Sequence, residues 1–169
     1  MNEHRAPKIP PPVVVAAALS AQRLLAGDRR GGMACKMAAG VLLAASAGLS
    51  TWADLAFGAA KTSINPLRPE RSSTLVVTGA NAVSRNPMYL GMVGAATAHA
   101  LWRGSFRALL PVAGLVLWLD RLQIPAEEEA LQAKFGQAYE DYKERVPRWI
   151  QLPSTLIWLA SRDRLRAAD

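Results

Sequence analysis

Residues Met37–Gly58, MAAGVLLAASAGLSTWADLAFG, form a run of apolar and small residues whose only charge, Asp54, lies near its end. A helix needs about 20 such residues to cross the hydrocarbon core of a bilayer. This stretch has the length, and Asp54 falls where the helix meets the interface. Three other blocks share its character: Val13–Ala26, Pro87–Trp102 and Ala108–Leu119, the last running on towards Ile124. The 169 residues are 51% hydrophobic and 20% charged, yet the mean hydropathy is only +0.09, because apolar blocks are averaged with a polar C-terminal third. The expected fold is all-α. It is a polytopic membrane bundle of about four transmembrane helices, 13–26, 37–58, 87–102 and 108–124, in a single domain spanning 1–169.

This distribution excludes a disordered chain and a disulfide-stapled secreted domain. Cys35 is the only cysteine, so an intrachain disulfide and a cysteine-based zinc site are ruled out. His4 and His99 are too few and too far apart for a metal centre. The net charge of +7 does not point to nucleic acid, because the Lys and Arg residues flank the apolar blocks instead of gathering on one element with aromatics. They read as membrane flanks. By their count, the N-terminus, the 59–86 connection and the C-terminal region share the cytosolic side, facing Arg29, Arg30, Lys36, Arg103 and Arg107 across the membrane.

Local signals punctuate the chain. Pro10-Pro11-Pro12 suits a helix start, where the missing N–H is no loss. A signal peptide would also show an apolar stretch with small residues near Ser20-Ala21, but the triple proline and the later spans fit a mature membrane protein better. Gln22 and Arg23 sit where long side chains snorkel to the interface. Gly27–Lys36 is a loop, and Arg103–Arg107 a tight turn. Leu75-Val76-Val77 is a short extended piece. After Pro125 the character changes. Leu131, Phe135, Tyr139, Tyr142 and Val146 fall on one face of an amphipathic helix over Glu127–Val146, with Gly136 as a weak point, suited to a membrane surface. Trp149, Trp158 and the run Leu152–Ala160 suggest further interfacial contact.

Val76-Val77-Thr78-Gly79-Ala80-Asn81 looks like the opening of a dinucleotide fold. That turn needs further glycines for the pyrophosphate, and Val83 and Arg85 stand where they would be. A Rossmann site is rejected.

Two clusters can carry chemistry. Ser84-Arg85-Asn86-Pro87-Met88-Tyr89 lies at a helix N-terminus, where free N–H groups favour an anion. Its plainer reading is a helix start: Asn86 caps, Pro87 takes the first position, and Arg85 and Tyr89 anchor at the interface. Glu127-Glu128-Glu129 is the second. Glu127 and Glu128 lean towards the apolar face, and a carboxylate there needs a partner, which Arg85, Arg121 or a cationic ligand can supply. Its plainer reading is a set of acids complementing a helix dipole.

In sequence order the clusters are more specific together. Asn65-Pro66, Leu75-Val76-Val77-Thr78-Gly79, Ser84-Arg85-Asn86-Pro87-Met88-Tyr89-Leu90-Gly91, Ile124-Pro125-Ala126-Glu127-Glu128, Leu131, Phe135-Gly136, Tyr139, Tyr142 and Val146-Pro147-Arg148-Trp149 resemble the isoprenylcysteine carboxyl methyltransferase family. The resemblance covers about 65–150, and the first two helices match in character only. It implies an integral membrane methyltransferase using S-adenosylmethionine, related to phospholipid N-methyltransferases and membrane sterol reductases. It implies cofactor contacts at Ser73, Thr74, Leu75, Val76 and Asn81, at Asn86, Pro87, Met88 and Tyr89, and at Glu127. Arg85, Glu127 and Glu128 become the candidate catalytic residues, and Arg121 and Gln123 the candidate substrate contacts, with no metal. Three positions depart from the family pattern: Asn86 where many members have His, Asn81 where Tyr is usual, and Gln123 where an Arg often contacts an acidic substrate.

The reading that follows is S-adenosylmethionine-dependent methylation of a lipophilic small molecule at a carboxylate, in a multi-pass protein of the bacterial cytoplasmic membrane with its site facing the cytosol. A carboxylate nucleophile needs no general base, so alignment and exclusion of water suffice. Partners are membrane lipids and the lipophilic substrate, not nucleic acid. Alternatives are methylation of a lipid amine, an NADPH-dependent membrane reductase, and a non-catalytic lipid-binding scaffold.

Overall fold

The computed structural model describes residues 9–28, 30–60 and 74–150. The readings made for Ser73, the Leu152–Ala160 run and Trp158 lie outside them. All regular elements among the described residues are helical. Six α-helices run Pro11–Ala26 (α1), Met33–Ala59 (α2), Pro87–Arg103 (α3), Leu110–Trp118 (α4), Ile124–Phe135 (α5) and Gln137–Arg145 (α6). Single 3₁₀ turns at Gly79–Ala82 and Phe106–Leu109 precede α3 and α4.

The apolar blocks become helices, with changed limits. α1 starts on Pro11 and Pro12, whose fixed φ suits a first turn. α2 begins at Met33, so the loop expected to reach Lys36 is shorter. α3 opens at Pro87 as expected and ends at Gly104, which is left-handed at φ 61.

Two expectations about the C-terminal half are corrected. The fourth helix does not stop near Ile124. It passes through a π turn at Leu119–Gln123 and continues as α5 across Pro125. Proline has no N–H and crowds the carbonyl four residues back, and the wider turn just before it absorbs that mismatch. Glu127–Val146 is not one helix either. The chain breaks at Gly136, whose φ of +52 ends α5 and starts α6 at a new angle. A residue with a Cβ is strained there, so the break sits on glycine. Leu131, Phe135, Tyr139, Tyr142 and Val146 still meet, as the periodicity requires. They form one cluster, closed by Leu75 and Val77, so the chain's own 75–77 segment packs against this face.

α2 and α3 run antiparallel in close contact. A Cβ on Gly91 would come 2.1 Å from Ser50 Oγ and 3.0 Å from the Ser46 carbonyl oxygen, so only glycine permits this approach. α1 packs on α3 and α4 around Ala18, Ala96, Ala100, Val112 and Leu115. Gln22 does not snorkel. It is fully buried, donates to the Ala96 carbonyl at 2.9 Å and accepts from His99 Nδ1 at 2.6 Å.

Two helical stretches are long and apolar enough to cross a membrane, Met33–Ala59 and the continuous run Phe106–Phe135. α1, of 16 residues, and α3, of 17, are shorter than that. α2 carries Met33, Met37, Val41, Leu43, Trp52 and Leu55 exposed along its length. So large an apolar surface suits lipid, not water.

Candidate active site

The candidate site lies where the start of α3, the first turn of α5 and the 146–149 segment converge. Tyr89 is on the first turn of α3 and buried, and its phenol donates to Glu127 Oε1. Gln123, fully buried on the π turn, donates to the same oxygen at 2.6 Å. Glu127 Oε2 takes no hydrogen bond among the described residues.

Glu128, the next residue, faces a different set of partners. Arg85 Nη2 meets its Oε1 at 2.6 Å, and Arg148 Nη2 meets its Oε2 at 2.5 Å. Arg148 also reaches Asp120 Oδ1 at 3.2 Å, where Trp149 Nε1 donates at 2.9 Å. The hydrogen bonds that Arg148 donates to Glu128 push its guanidinium pKa above the usual range. Arg85 adds hydrogen bonds from Nη1 to the Lys143 and Val146 carbonyls at 3.2 and 2.9 Å.

Backbone contacts zip the 147–148 segment onto 84–86. Arg85 N donates to the Pro147 carbonyl at 2.9 Å. Ser84 Oγ and Asn86 Nδ2 both donate to the Arg148 carbonyl, at 3.2 and 3.0 Å. Asn86 therefore does not cap α3, because its side chain is spent on this cross-link and makes no cap hydrogen bond. On α6, the Tyr142 hydroxyl donates to the Asn81 carbonyl at 2.7 Å. Burial pushes the Tyr139 and Tyr142 phenols well above their ordinary range, so both stay neutral donors.

The structure joins Arg85, Asn86, Tyr89, Gln123, Glu127 and Glu128 in one cluster. Pro87 is buried beside them and Met88 half-buried. Asn81 and Val76 are buried, whereas Leu75 packs against the tyrosine cluster. Thr74 is exposed. Arg121 is not brought in: its side chain is 76% exposed and pairs with Asp120 at 3.3 Å. Glu128 is instead served by Arg85 and by Arg148, which the sequence reading quoted but gave no role. Asp120 escaped notice altogether. It sits in an apolar block, and a lone acid there was the available signal.

The donors and acceptors suit a polar ligand. Among the described residues, Asn81 Nδ2 and Arg85 Nε are buried without an acceptor, and Glu127 Oε2 takes no donor. Of the cluster's three carboxylates, Asp120 and Glu128 have both oxygens engaged.

A family model described as phospholipid methyltransferase matches residues 35–138. The chain belongs to the phospholipid methyltransferase family. The match takes in all of α2 but its first two residues and α3 to α5 whole, and with them Tyr89, Gln123 and Glu127; Arg148 lies beyond it. This family shares a membrane methyltransferase superfamily with the isoprenylcysteine enzymes of the sequence resemblance. An uncharacterized protein of Haemophilus influenzae (strain ATCC 51907 / DSM 11121 / KW20 / Rd) is 40% identical over 63 residues, which are 37% of this chain and 100% of that protein. No solved structure matches the chain. Membership in this family, with the exposed apolar helices, makes the protein a membrane-associated methyltransferase. It also favours methyl transfer over the reductase and scaffold readings.

Proposed function

We propose that the protein transfers a methyl group from S-adenosylmethionine to an amine of a membrane lipid, in a multi-pass fold whose four apolar helical stretches all cross the membrane and whose site faces the cytosol. The observation that carries this is Glu127, a carboxylate with one oxygen clamped by Tyr89 and Gln123 and the other unengaged among the described residues. When bound, S-adenosylmethionine supplies an activated methyl on a sulfonium, so the protein needs no covalent nucleophile. Asn81 and Glu127 would hold it, the Asn81 amide and the carboxylate matching its acceptors and donors.

The chain's own residues do the rest. Arg85, Glu128 and Arg148 fasten the 146–149 segment over the mouth of α3, which limits water. Glu127 Oε2 can hold a cationic ligand, or take the proton that an amine must lose before it attacks. Arg85, Arg121 and Arg148 each already face a carboxylate. A lipid amine therefore meets a complementary charge here, whereas a carboxylate acceptor meets guanidiniums already engaged. The motif run of the isoprenylcysteine carboxyl methyltransferases supports carboxyl O-methylation as the second reading.

One experiment separates them. Purified protein is incubated with methyl-tritiated S-adenosylmethionine and a membrane lipid extract, and the labelled lipid is treated with base. N-methyl label stays non-volatile, and a methyl ester releases it as volatile methanol. Base-labile label would move the acceptor to a carboxyl group. Absence of transfer to any extract, with no thermal shift by S-adenosylmethionine, would overturn the methyltransferase reading.

A further inference from the structure

The two ends of the bundle differ in how their charges are matched. At the end that holds Glu127, four basic side chains have acidic partners: Arg85 and Arg148 face Glu128, Arg121 faces Asp120, and Lys143 faces Glu140. The other end lies the whole length of α3 away. There the α1–α2 loop meets the α3–α4 turn. Gly31 N donates to the Trp102 carbonyl at 2.9 Å, and an added Cβ on Gly104 would lie 2.5 Å from Gly31 Cα.

This junction gathers Arg23, Arg30, Lys36, Arg103 and Arg107 against one acid, Asp28, among the described residues. None of the five makes an ion pair among those residues. Arg103 is tied by Nη2 to the Gly27 carbonyl, while its Nε is buried without an acceptor. The Lys36 ammonium lies 5.8 Å from the Trp102 ring centre, which places it over the bundle's end. Like charges gathered at one end of the bundle repel one another, and an anion between them reduces that cost.

Apolar side chains surround the same junction. Phe106 is 92% exposed, and Trp102, Leu109 and Leu110 are exposed beside it. An aromatic-rimmed basic surface at a helix-bundle end is complementary to a molecule with an anionic head and apolar tails. A free phosphate would leave the apolar rim unsatisfied. We propose that this end of the bundle binds anionic phospholipid headgroups, with Arg30, Arg103 and Arg107 engaging the phosphate and Trp102 and Phe106 seated among the acyl chains.

The test uses purified full-length protein in a neutral detergent, titrated with phosphatidylglycerol, with phosphatidylcholine, or with inorganic phosphate. Thermal unfolding and native mass spectrometry of retained lipid are the readouts. Phosphatidylglycerol should raise the unfolding temperature and stay bound, with phosphatidylcholine doing neither. Arg30→Gln with Arg107→Gln alters exposed side chains, and should weaken the response roughly fivefold per arginine, since each basic residue at such a surface contributes about 1 kcal/mol. Lys134→Gln with Arg145→Gln removes the same charge from the opposite end and should leave the lipid preference intact. The proposal fails if the two lipids act alike, if the Arg30/Arg107 variant keeps the wild-type preference, or if the Lys134/Arg145 variant loses it. It also fails if inorganic phosphate alone reproduces the shift, because the site would then be for a free anion.

Discussion

The hydroxyl of Tyr89 donates to Oε1 of Glu127, joining the first turn of α3 to the first turn of α5 across 38 residues of sequence. Gln123 donates to the same oxygen, so the carboxylate is oriented by two neutral donors while its second oxygen stays available. Orientation by neutral groups leaves that second oxygen as an acceptor for a cationic ligand or for the proton of an acceptor amine.

Glu127→Gln should therefore remove the response to S-adenosylmethionine with little loss of fold. A hydrogen bond to a charged group contributes about 1.5–3 kcal/mol, or roughly 10- to 150-fold in affinity. Tyr89→Phe keeps the charge and loses only one orienting donor, so its effect should be smaller, about 1 kcal/mol. Titration calorimetry with the cofactor ranks the two. If Tyr89→Phe is the worse variant, Glu127 is not the binding group.

Glu128→Gln should behave in the opposite way. It leaves Arg85 and Arg148 without their shared carboxylate at a half-buried site, and losing one member of such a network costs about 3 kcal/mol. Stability should fall clearly, measured by thermal unfolding in detergent. Combining Glu128→Gln with Arg148→Gln should cost less than the sum of the two single changes, because the second removes a guanidinium that the first has already deprived of one of its two carboxylates.

Gly91→Ala puts a Cβ against Ser50 Oγ and the Ser46 carbonyl, and should cost about 1–3 kcal/mol by forcing α2 and α3 apart. Gly40→Ala on the outer face of α2 meets nothing within 4 Å and should be neutral or slightly stabilising. Equal unfolding temperatures for the two variants would contradict the α2–α3 packing.

Topology has its own reporter. Cys35 is exposed at the basic end, and Lys143 lies at the opposite end. A membrane-impermeant thiol reagent added to intact cells should modify Cys35, and should spare Lys143→Cys in a Cys35→Ser background. The reverse pattern would place the site outside the cytosol.

What was legible without coordinates is local. Apolar blocks, Pro11 and Pro87 at helix starts, and the spacing from Leu131 to Val146 report burial and backbone freedom within a few residues, so helices and the shared apolar face follow directly. The motif run also pointed to Arg85, Asn86, Tyr89 and Glu127 before any of them could be seen to meet. Other features depend on competition between distant groups. Asn86 is a fair helix cap in isolation, yet the Arg148 carbonyl outbids its own helix for the amide. Arg121 is as near Glu128 in sequence as a partner could wish, but the π turn aims it outward and Arg85 and Arg148 arrive instead. Pro125 looks like a stop, and only the packing of Leu119 and Ile124 into the core shows why the helix carries on through it. Local chemistry set which residues are helical and which are buried; tertiary contacts decided which charges pair, because an ion pair or a buried amide is chosen by whatever partner the fold brings closest, not by sequence distance.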